Sequence, residues 1–287
     1  MPRLRNYEPL KGNKVGHLMR SSRLSITFLF CAMAGFAQMP NIVQNGILNA
    51  ASFDKSAGAP LAPGSLVSIF GTDLAASQVL NDTVPLSTSL ADSVSVTFNG
   101  ITAGLDFVAQ GQINAQVPWN VVADPSVGGT ANVIVTRNGI ASPAVTVNIA
   151  PAQPGIFSFP PGGGYAIAIN NDGSLAAPEN AIPGIATHPA LTGDVLVLYA
   201  SGMGAVDPVV ANGAASLDQL RNTIVMPTVL IGGKTGTVFF SGLTPQFPGV
   251  NQINVQVPPG VTPGDQVPIQ IQVGNFTSSS NTVISVH

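Results

Sequence analysis

The chain has 287 residues, of which 45% are hydrophobic and only 8% are charged, and its formal net charge is −3. Its 31 glycines and 24 prolines favour turns and strand ends, so the composition argues against a helical enzyme and predicts an all-β fold. The shortage of basic residues also argues against nucleic acid as a partner, because a nucleic-acid surface needs concentrated positive charge.

Residues 1–37 are predicted to be a signal peptide. They hold six of the ten basic residues, followed by the apolar run LSITFLFCAMAGFA, which is too short to span a bilayer as a helix. Gly35 and Ala37 suit cleavage before Gln38. A start at Met19 would give a more compact signal, and the alternative to a signal is a buried strand or helix. We therefore expect export to the periplasm, the cell surface or the medium.

The chain that remains after cleavage has few reactive groups. Its only cysteine, Cys31, lies within the signal, so neither disulfides nor thiol catalysis are expected. Four basic and twelve acidic residues remain, a balance that repels nucleic acid and anionic lipid. No later segment is apolar for long enough to cross a membrane as a helix, so no transmembrane segment is predicted in the mature chain.

The same phrases occur twice in the same order, which predicts a duplicated module. GQINAQVPWNV begins at Gly111, and NQINVQVPPGV begins at Asn251. LAPGSLVSIFGTDLA and LTGDVLVLYASGMGA precede them in the two copies. The equivalent positions include Gly64 and Gly193, Phe70 and Tyr199, Gly100 and Gly233, and Phe107 and Phe240. Because the order is kept and only loop lengths differ, chance word matches do not explain the pattern.

Apolar residues recur at every second position within each copy, as in SVSVTF from Ser93 and PIQIQV from Pro268. This period predicts antiparallel sheets with one buried and one solvated face. Asn99–Gly100, Asn138–Gly139 and Asp172–Gly173 predict tight turns between strands. About seven short strands per copy are typical of an immunoglobulin-like sandwich.

The predicted fold class is all-β, with two tandem immunoglobulin-like antiparallel β-sandwich modules after the signal peptide. The first module covers residues 41–150 and the second covers residues 165–287. Residues 151–164 are predicted to be a Pro/Gly-rich linker, because proline removes backbone donors and glycine frees the chain. The apolar residues of this linker, which could pin the sandwiches together, are Ile156, Phe157 and Phe159.

The repeated phrase predicts one core strand of each module. The apolar row of the first copy is Ile113, Ala115 and Val117, and its amide row is Gln112, Asn114 and Gln116. The amide row and Trp119 are the candidate binding residues, because amides bind sugar hydroxyls while an indole stacks on a pyranose face. The alternative is a solvated amide row, or one that lies between the sandwiches. The second copy has Pro259 in place of the tryptophan, so such a platform would belong to the first module alone.

Several motifs together carry a resemblance to a known family. They include NAASF, APLAPGSLVSIFGTDLA, GQINAQVPW, PAVTVNIAPAQPGIF, VLYASGMG and NQINVQVPPGV, spread from about Asn49 to Val286. The chain resembles the uncharacterised carboxy-terminal module of secreted proteins from Solibacter-type acidobacteria. VSIFGTDL is also similar to the IPT/TIG-like immunoglobulin fold shared by plexins and transcription factors. The resemblance implies an extracellular pair of β-sandwiches and implies no activity.

The sequence predicts no catalytic residues, no metal site and no cofactor. A Ser-His-Asp arrangement would need His188 or the terminal His287, and YASGMG around Ser201 lacks the first glycine of a G-x-S-x-G elbow. No pair of His or Cys has zinc spacing. NNDGS from Asn170 lacks the closing glutamate of a helical calcium loop and predicts a turn, although calcium stays open as an alternative.

Two functions are therefore considered. The first is an exported, non-enzymatic interaction or scaffold protein that recognises an unknown protein or polysaccharide partner. The alternative is a carbohydrate-binding accessory protein or an extracellular hydrolase, which would need two acidic side chains converging in a cleft near Trp119 or His188. Neither the identity of the partner nor the oligomeric state follows from the sequence.

Overall fold

The computed structural model describes residues 38–287 and shows an all-β protein. No helix occurs in this part of the chain, and none of its elements could therefore cross a membrane as a long apolar helix. The predicted signal peptide, residues 1–37, lies outside the described residues. Residues 38–287 belong to one compact unit that contains both copies of the repeat.

Ten strands build the first sandwich. They are β1 (Asn41–Asn49), β2 (Leu66–Thr72), β3 (Val79–Leu80), β4 (Ser95–Phe98), β5 (Ile101–Thr102), β6 (Gly104–Val108), β7 (Gln112–Gln116), β8 (Gly129–Arg137), β9 (Ile140–Ala141) and β10 (Val145–Ile149). One sheet has the order β1-β2-β7-β6-β3, and the other has the order β10-β8-β4-β5, with β9 paired to β8. Their facing rows are fully buried and include Val67, Ile69, Val96, Phe98, Ile113 and Val133. The alternation of the sequence therefore places one row of each strand in a shared core.

Fifteen strands, many of two residues, build the second sandwich. They are β11 (Gly155–Ile156), β12 (Ser158–Phe159), β13 (Gly164–Ala166), β14 (Ala168–Ile169), β15 (Leu175–Ala176), β16 (Thr187–His188), β17 (Val195–Ser201), β18 (Val206–Asp207), β19 (Asn222–Thr223), β20 (Thr228–Ile231), β21 (Lys234–Leu243), β22 (Asn251–Gln256), β23 (Gly264–Val273), β24 (Phe276–Thr277) and β25 (Thr282–Val286). The long strand β21 joins two layers, because Lys234 to Gly236 pair with β20 whereas Thr237 to Leu243 pair with β22. A separate core fills the space between the layers and includes Leu196, Leu198, Val229, Ile253, Val255 and Ile269.

Strand register confirms that the two sandwiches repeat one another. Phe70 lies opposite Gln112 in the first sandwich, and Tyr199 lies opposite Gln252 in the second. Each copy also carries one extra residue at the same place in the next strand pair. This bulge residue is Asp106 between β6 and β7, and Phe239 between β21 and β22. The duplication inferred from repeated phrases therefore extends to the hydrogen-bond ladder.

The turn prediction is confirmed at the Asn-Gly pairs. Asn99 and Gly100 have φ of 51° and 79°, and Asn138 and Gly139 have φ of 48° and 79°. Two successive positive φ values give a turn whose twist matches that of the flanking strands. Asp172–Gly173 also lies in a turn, which joins β14 to β15.

Residues 151–164, predicted to be a linker, are built into the second sandwich. Ala152 and Ile156 belong to its core, and β11 and β12 pair with β17 and β13. The prolines of this segment suggested a break because they lack a backbone donor, but Gly155 and Ile156 pair with the end of β17. The apolar residues of the segment lie in different environments, since Ile156 is buried and Phe159 is exposed.

Candidate functional site

The amide rows of the two sandwiches contain the same hydrogen-bonded pair. Gln112 Nε2 donates to Asn114 Oδ1 at 2.8 Å, and Gln252 Nε2 donates to Asn254 Oδ1 at 2.9 Å. Residues two apart on a strand share a face, so each pair lies on the outer face of its sheet, opposite the core. The aromatic residues opposite the two pairs are Phe70 and Phe107 in the first sandwich, and Tyr199 and Phe240 in the second.

The other two predicted site residues of the first sandwich lie where it meets the second sandwich, a contact that we call the seam. Gln116 is only 1% exposed, and its Oε1 accepts a hydrogen bond from Gly213 N at 2.6 Å. Trp119 N donates to Asn212 Oδ1 at 2.8 Å. The indole of Trp119 packs directly on Gly64, where a Cβ would meet the ring. Gln116 and Trp119 therefore contact the second sandwich.

Gln112 and Asn114 instead line a cavity of about 280 Å³, which we call the seam cleft. Its floor is the outer face of the β2, β7 and β6 sheet, with Ser68 and Asp106 beside the amide pair. Phe53 of the first sandwich and Phe157 of the second form its aromatic walls. The structure therefore brings two of the four predicted residues together and separates them from Gln116 and Trp119.

Asp106 is the titratable group of the seam cleft. It occupies the bulge between β6 and β7, and burial raises the pKa of its carboxyl. It takes part in none of the ion pairs formed by residues 38–287. Because the carboxylate is partly desolvated and carries no counter-ion, it is a strong hydrogen-bond acceptor facing the cleft. No local sequence pattern distinguishes Asp106 from the other acidic residues of the chain.

A larger cleft of about 720 Å³ adjoins the seam cleft, since both are lined by Phe53 and Pro161. Its walls are mainly polar. They include Ser52, Ser56, Gln153, Thr277, Ser279, Ser280 and Asn281, together with the charged residues Asp54 and Lys55. We call it the serine cleft. Both sandwiches contribute to it, so its shape depends on how they are held together.

The NNDGS segment forms a turn closed by its own side chains. Asp172 accepts hydrogen bonds from the backbone and hydroxyl of Ser174, and its Oδ2 lies 3.0 Å from His188 Nε2. His188 lies in the short strand β16 rather than in a loop, and it also contacts the carbonyl of Pro189. Within residues 38–287, no three His, Cys, Asp or Glu side chains are grouped closely enough to hold a metal ion.

Comparisons with known proteins give distant structural likenesses only. No family model and no curated protein matches the chain in sequence. The SGBP-B protein of the mixed-linkage glucan utilization locus of Bacteroides ovatus, solved with a mixed-linkage heptasaccharide, is 12% identical with a TM-score of 0.29, over 80% of this chain and 44% of that chain. The I9–I11 tandem of titin is 11% identical with a TM-score of 0.21, over 87% of this chain and 67% of that chain.

The C-terminal domain of the Streptococcus agalactiae AgI/II polypeptide BspA is also similar. It is 10% identical with a TM-score of 0.19, over 86% of this chain and 99% of that chain. The chain spans less than half the length of the Bacteroides protein. Because these TM-scores are low, the evidence for the fold class is the sheet order and the two cores of the protein itself.

Proposed function

We propose that this protein is an exported, non-enzymatic binding or scaffold protein whose two sandwiches act as one rigid body. The observation that carries the proposal is the seam, which is tied by buried hydrogen bonds. Across the seam, Leu66 N donates to the fully buried Ser201 Oγ at 2.9 Å, and Gly213 N donates to the buried Gln116 Oε1 at 2.6 Å. Ser201 Oγ in turn donates to Gly249 O within the second sandwich at 2.9 Å. Buried bonds of this kind are costly to break, so they fix one sandwich against the other.

Two further hydrogen bonds cross the seam. Asn49 Nδ2 donates to Gln153 O at 2.9 Å, and Leu86 N donates to Gly213 O at 2.8 Å. A fixed seam holds the walls of the seam cleft and the serine cleft in one geometry. Preformed clefts lose little conformational freedom when a partner binds, which favours a role in recognition.

The groups that line the two clefts favour binding over catalysis. Hydroxyls and side-chain amides predominate in the serine cleft, whereas the seam cleft combines amides with aromatic and aliphatic side chains, groups that donate, accept and pack. General acid–base chemistry needs a proton donor and a proton acceptor placed around one reacting bond. Asp106 stands beside neutral amides in the seam cleft, an environment that suits hydrogen bonding to a ligand.

The basic and apolar start of the chain supports export, as does the resemblance to modules of secreted acidobacterial proteins. Mass spectrometry of the protein recovered from its native cells tests this part of the proposal. We expect a mature chain that begins at Gln38. Recovery of an uncleaved chain from the cytoplasm would overturn it.

Retention of cell-envelope components on immobilised protein tests the binding role. Ser280 is exposed on the wall of the serine cleft, so Ser280→Trp should obstruct the cleft without touching a core. Thr88→Trp, a substitution at an exposed residue outside the cleft, is the matched control. We expect one component to be retained chemically unchanged by the wild type and the control, and lost by Ser280→Trp. Equal profiles for all three proteins would contradict binding at the clefts, and conversion of the component would contradict the non-enzymatic role.

A further inference from the structure

The floor of the seam cleft favours recognition by side chains over pairing with a peptide backbone. Strand β7, which carries Gln112 and Asn114, lies between β2 and β6, and β6 lies between β7 and β3. A peptide that adds to a sheet needs the unpaired backbone groups of an edge strand. Because the floor of the cleft is the middle of a sheet, an occupant finds no free strand edge there and meets the side chains of the floor.

Those side chains offer adjacent donors and acceptors. Gln112 uses one N–H on Asn114 Oδ1, and Ser68 Oγ donates to the same oxygen at 3.0 Å. No hydrogen bond among the described residues uses Gln112 Oε1 or Asn114 Nδ2. A free acceptor beside a free donor matches two neighbouring hydroxyls, each of which can both donate and accept. The carboxylate of Asp106 adds a further acceptor for a hydroxyl proton.

The aromatic walls complement the apolar face of a sugar ring. Phe53 and Phe157 both line the seam cleft, and the ring centroid of Phe53 lies 6.3 Å from that of Phe70. A pyranose presents hydroxyls around its rim and C–H groups on its faces, so it satisfies amides and aromatic rings together. The apolar contact area of each ring contributes to binding without requiring charge.

The size and charge of the clefts indicate a chain of neutral units. At about 280 Å³ the seam cleft lies at the small end of ligand pockets, which hold about 300–1,000 Å³. The adjoining serine cleft of about 720 Å³ gives a polymer room to continue past Phe53. Asp106 is the charged side chain of the seam cleft, and Lys55 of the serine cleft is accompanied by Asp54, so the linings of the two clefts together carry no excess positive charge to attract an anionic polymer.

We infer that the seam cleft binds a segment of an uncharged polysaccharide, with Gln112, Asn114 and Asp106 holding ring hydroxyls and Phe53 and Phe157 packing on ring faces. The inference rests on the proposed binding function and names the ligand class of the same site. The second sandwich repeats the amide pair but has Phe239 at the bulge position of Asp106. It therefore supplies a control with the same internal hydrogen bond.

Affinity electrophoresis of residues 38–287 tests the inference, in gels that contain xyloglucan, galactomannan, hydroxyethylcellulose or, as the anionic probe, polygalacturonate. We expect retardation by at least one neutral polymer and none by polygalacturonate. Gln112→Ala should weaken binding to the retarding polymer by about tenfold, the equivalent of one lost hydrogen bond to a ligand. Gln252→Ala removes the same intramolecular bond in the second sandwich and should leave binding unchanged.

Two results would overturn the inference. One is mobility that no neutral polymer changes, and the other is an equal loss of binding in Gln112→Ala and Gln252→Ala. Circular dichroism of both variants checks that each is folded. If neutral polymers fail while Ser280→Trp still abolishes retention of an envelope component, the ligand class is wrong and the binding function stands. If retention is also unaffected by Ser280→Trp, both proposals fail.

Discussion

The two sandwiches have equivalent but separate interiors and differ in what covers their outer faces. Gln116 and Gln256 occupy equivalent positions, and each donates to the carbonyl of an equivalent glycine, Gly64 or Gly193. In the first sandwich the end of the amide row is buried against the second sandwich, whereas in the second it reaches solvent. Both copies therefore keep the strand and its backbone hydrogen bonds. The contact between the copies buries the end of the amide row in the first sandwich only.

Core truncations should give the largest effects and show whether the sandwiches unfold together. Phe98 and Ile231 are equivalent, fully buried residues before the same turn. We expect Phe98→Ala to cost about 3–5 kcal/mol and Ile231→Ala about 2–5 kcal/mol. Because seam bonds couple the sandwiches, both variants should lower one shared calorimetric transition. Two separate transitions, each moved by one variant, would contradict this coupling.

Removal of the equivalent glutamines should have a smaller effect on the free energy of unfolding, and the effect should differ between the two sandwiches. Gln116→Ala leaves Gly213 N without its partner inside the seam, so we expect a cost of about 1–3 kcal/mol. Gln256→Ala removes a solvent-exposed bond and should cost less than about 0.5 kcal/mol. Urea unfolding at equilibrium measures both values. Equal losses of stability in the two variants would show that burial in the seam does not make Gln116 more important than Gln256.

The turn glycines should behave alike, because the turn faces solvent in both copies. Gly100 and Gly233 have φ of 79° and 75°, and a Cβ at either position would meet nothing within 4 Å. Gly100→Ala and Gly233→Ala should each cost about 1 kcal/mol through backbone strain alone. Gly111→Ala, at a position without positive φ, is the control and should be close to neutral in thermal unfolding. A marked difference between the two turn variants would count against equivalent turns.

The His188–Asp172 pair should give the smallest effect, as a pH dependence specific to the second sandwich. The hydrogen bond to the Pro189 carbonyl, with a smaller contribution from Asp172, raises the pKa of His188. The folded state therefore binds the proton more tightly than the unfolded state does. The resulting stability is fully present below about pH 6.5 and is lost as the pH rises through the raised pKa.

The Tm of the wild type and of His188→Gln, measured from pH 5 to pH 8, tests this dependence. Because the pair is partly exposed, the variant should differ by no more than about 3 °C, and only on the acidic side. The lowered pKa of Asp172, held mainly by its hydrogen bonds from Ser174, keeps this carboxylate charged over the range. A constant Tm difference at every pH would exclude protonation of His188 as its cause.

Part of the candidate site could be predicted from strand periodicity. The alternation of QINAQVP places Gln112 and Asn114 on the face opposite Ile113, and the structure has them there. The sequence could not separate them from Gln116, because which end of the row is covered depends on loop 212–213 of the other sandwich. It also missed Asp106 and Phe53, since no local pattern brings a bulge residue and a turn residue to the same cleft.

The segment predicted to be a linker, residues 151–164, and His188 show the same limit of prediction from the sequence. Proline and glycine report local backbone freedom, but pairing of Gly155 with β17 depends on residues more than forty positions away. His188 lacks any periodic context, and its place in β16 depends on pairing with β15. Such long-range pairings are invisible to local propensity.

The sequence by itself determined the all-β class, the duplicated register, the Asn-Gly turns and the membership of each core. These follow from side-chain alternation and backbone preference, which act within a few residues. Only the tertiary structure decided how one sandwich lies against the other, and therefore which amides are buried and which line a cleft. That outcome depends on contacts between Ser201, Leu66 and Gly249, groups whose partners are far apart in the chain.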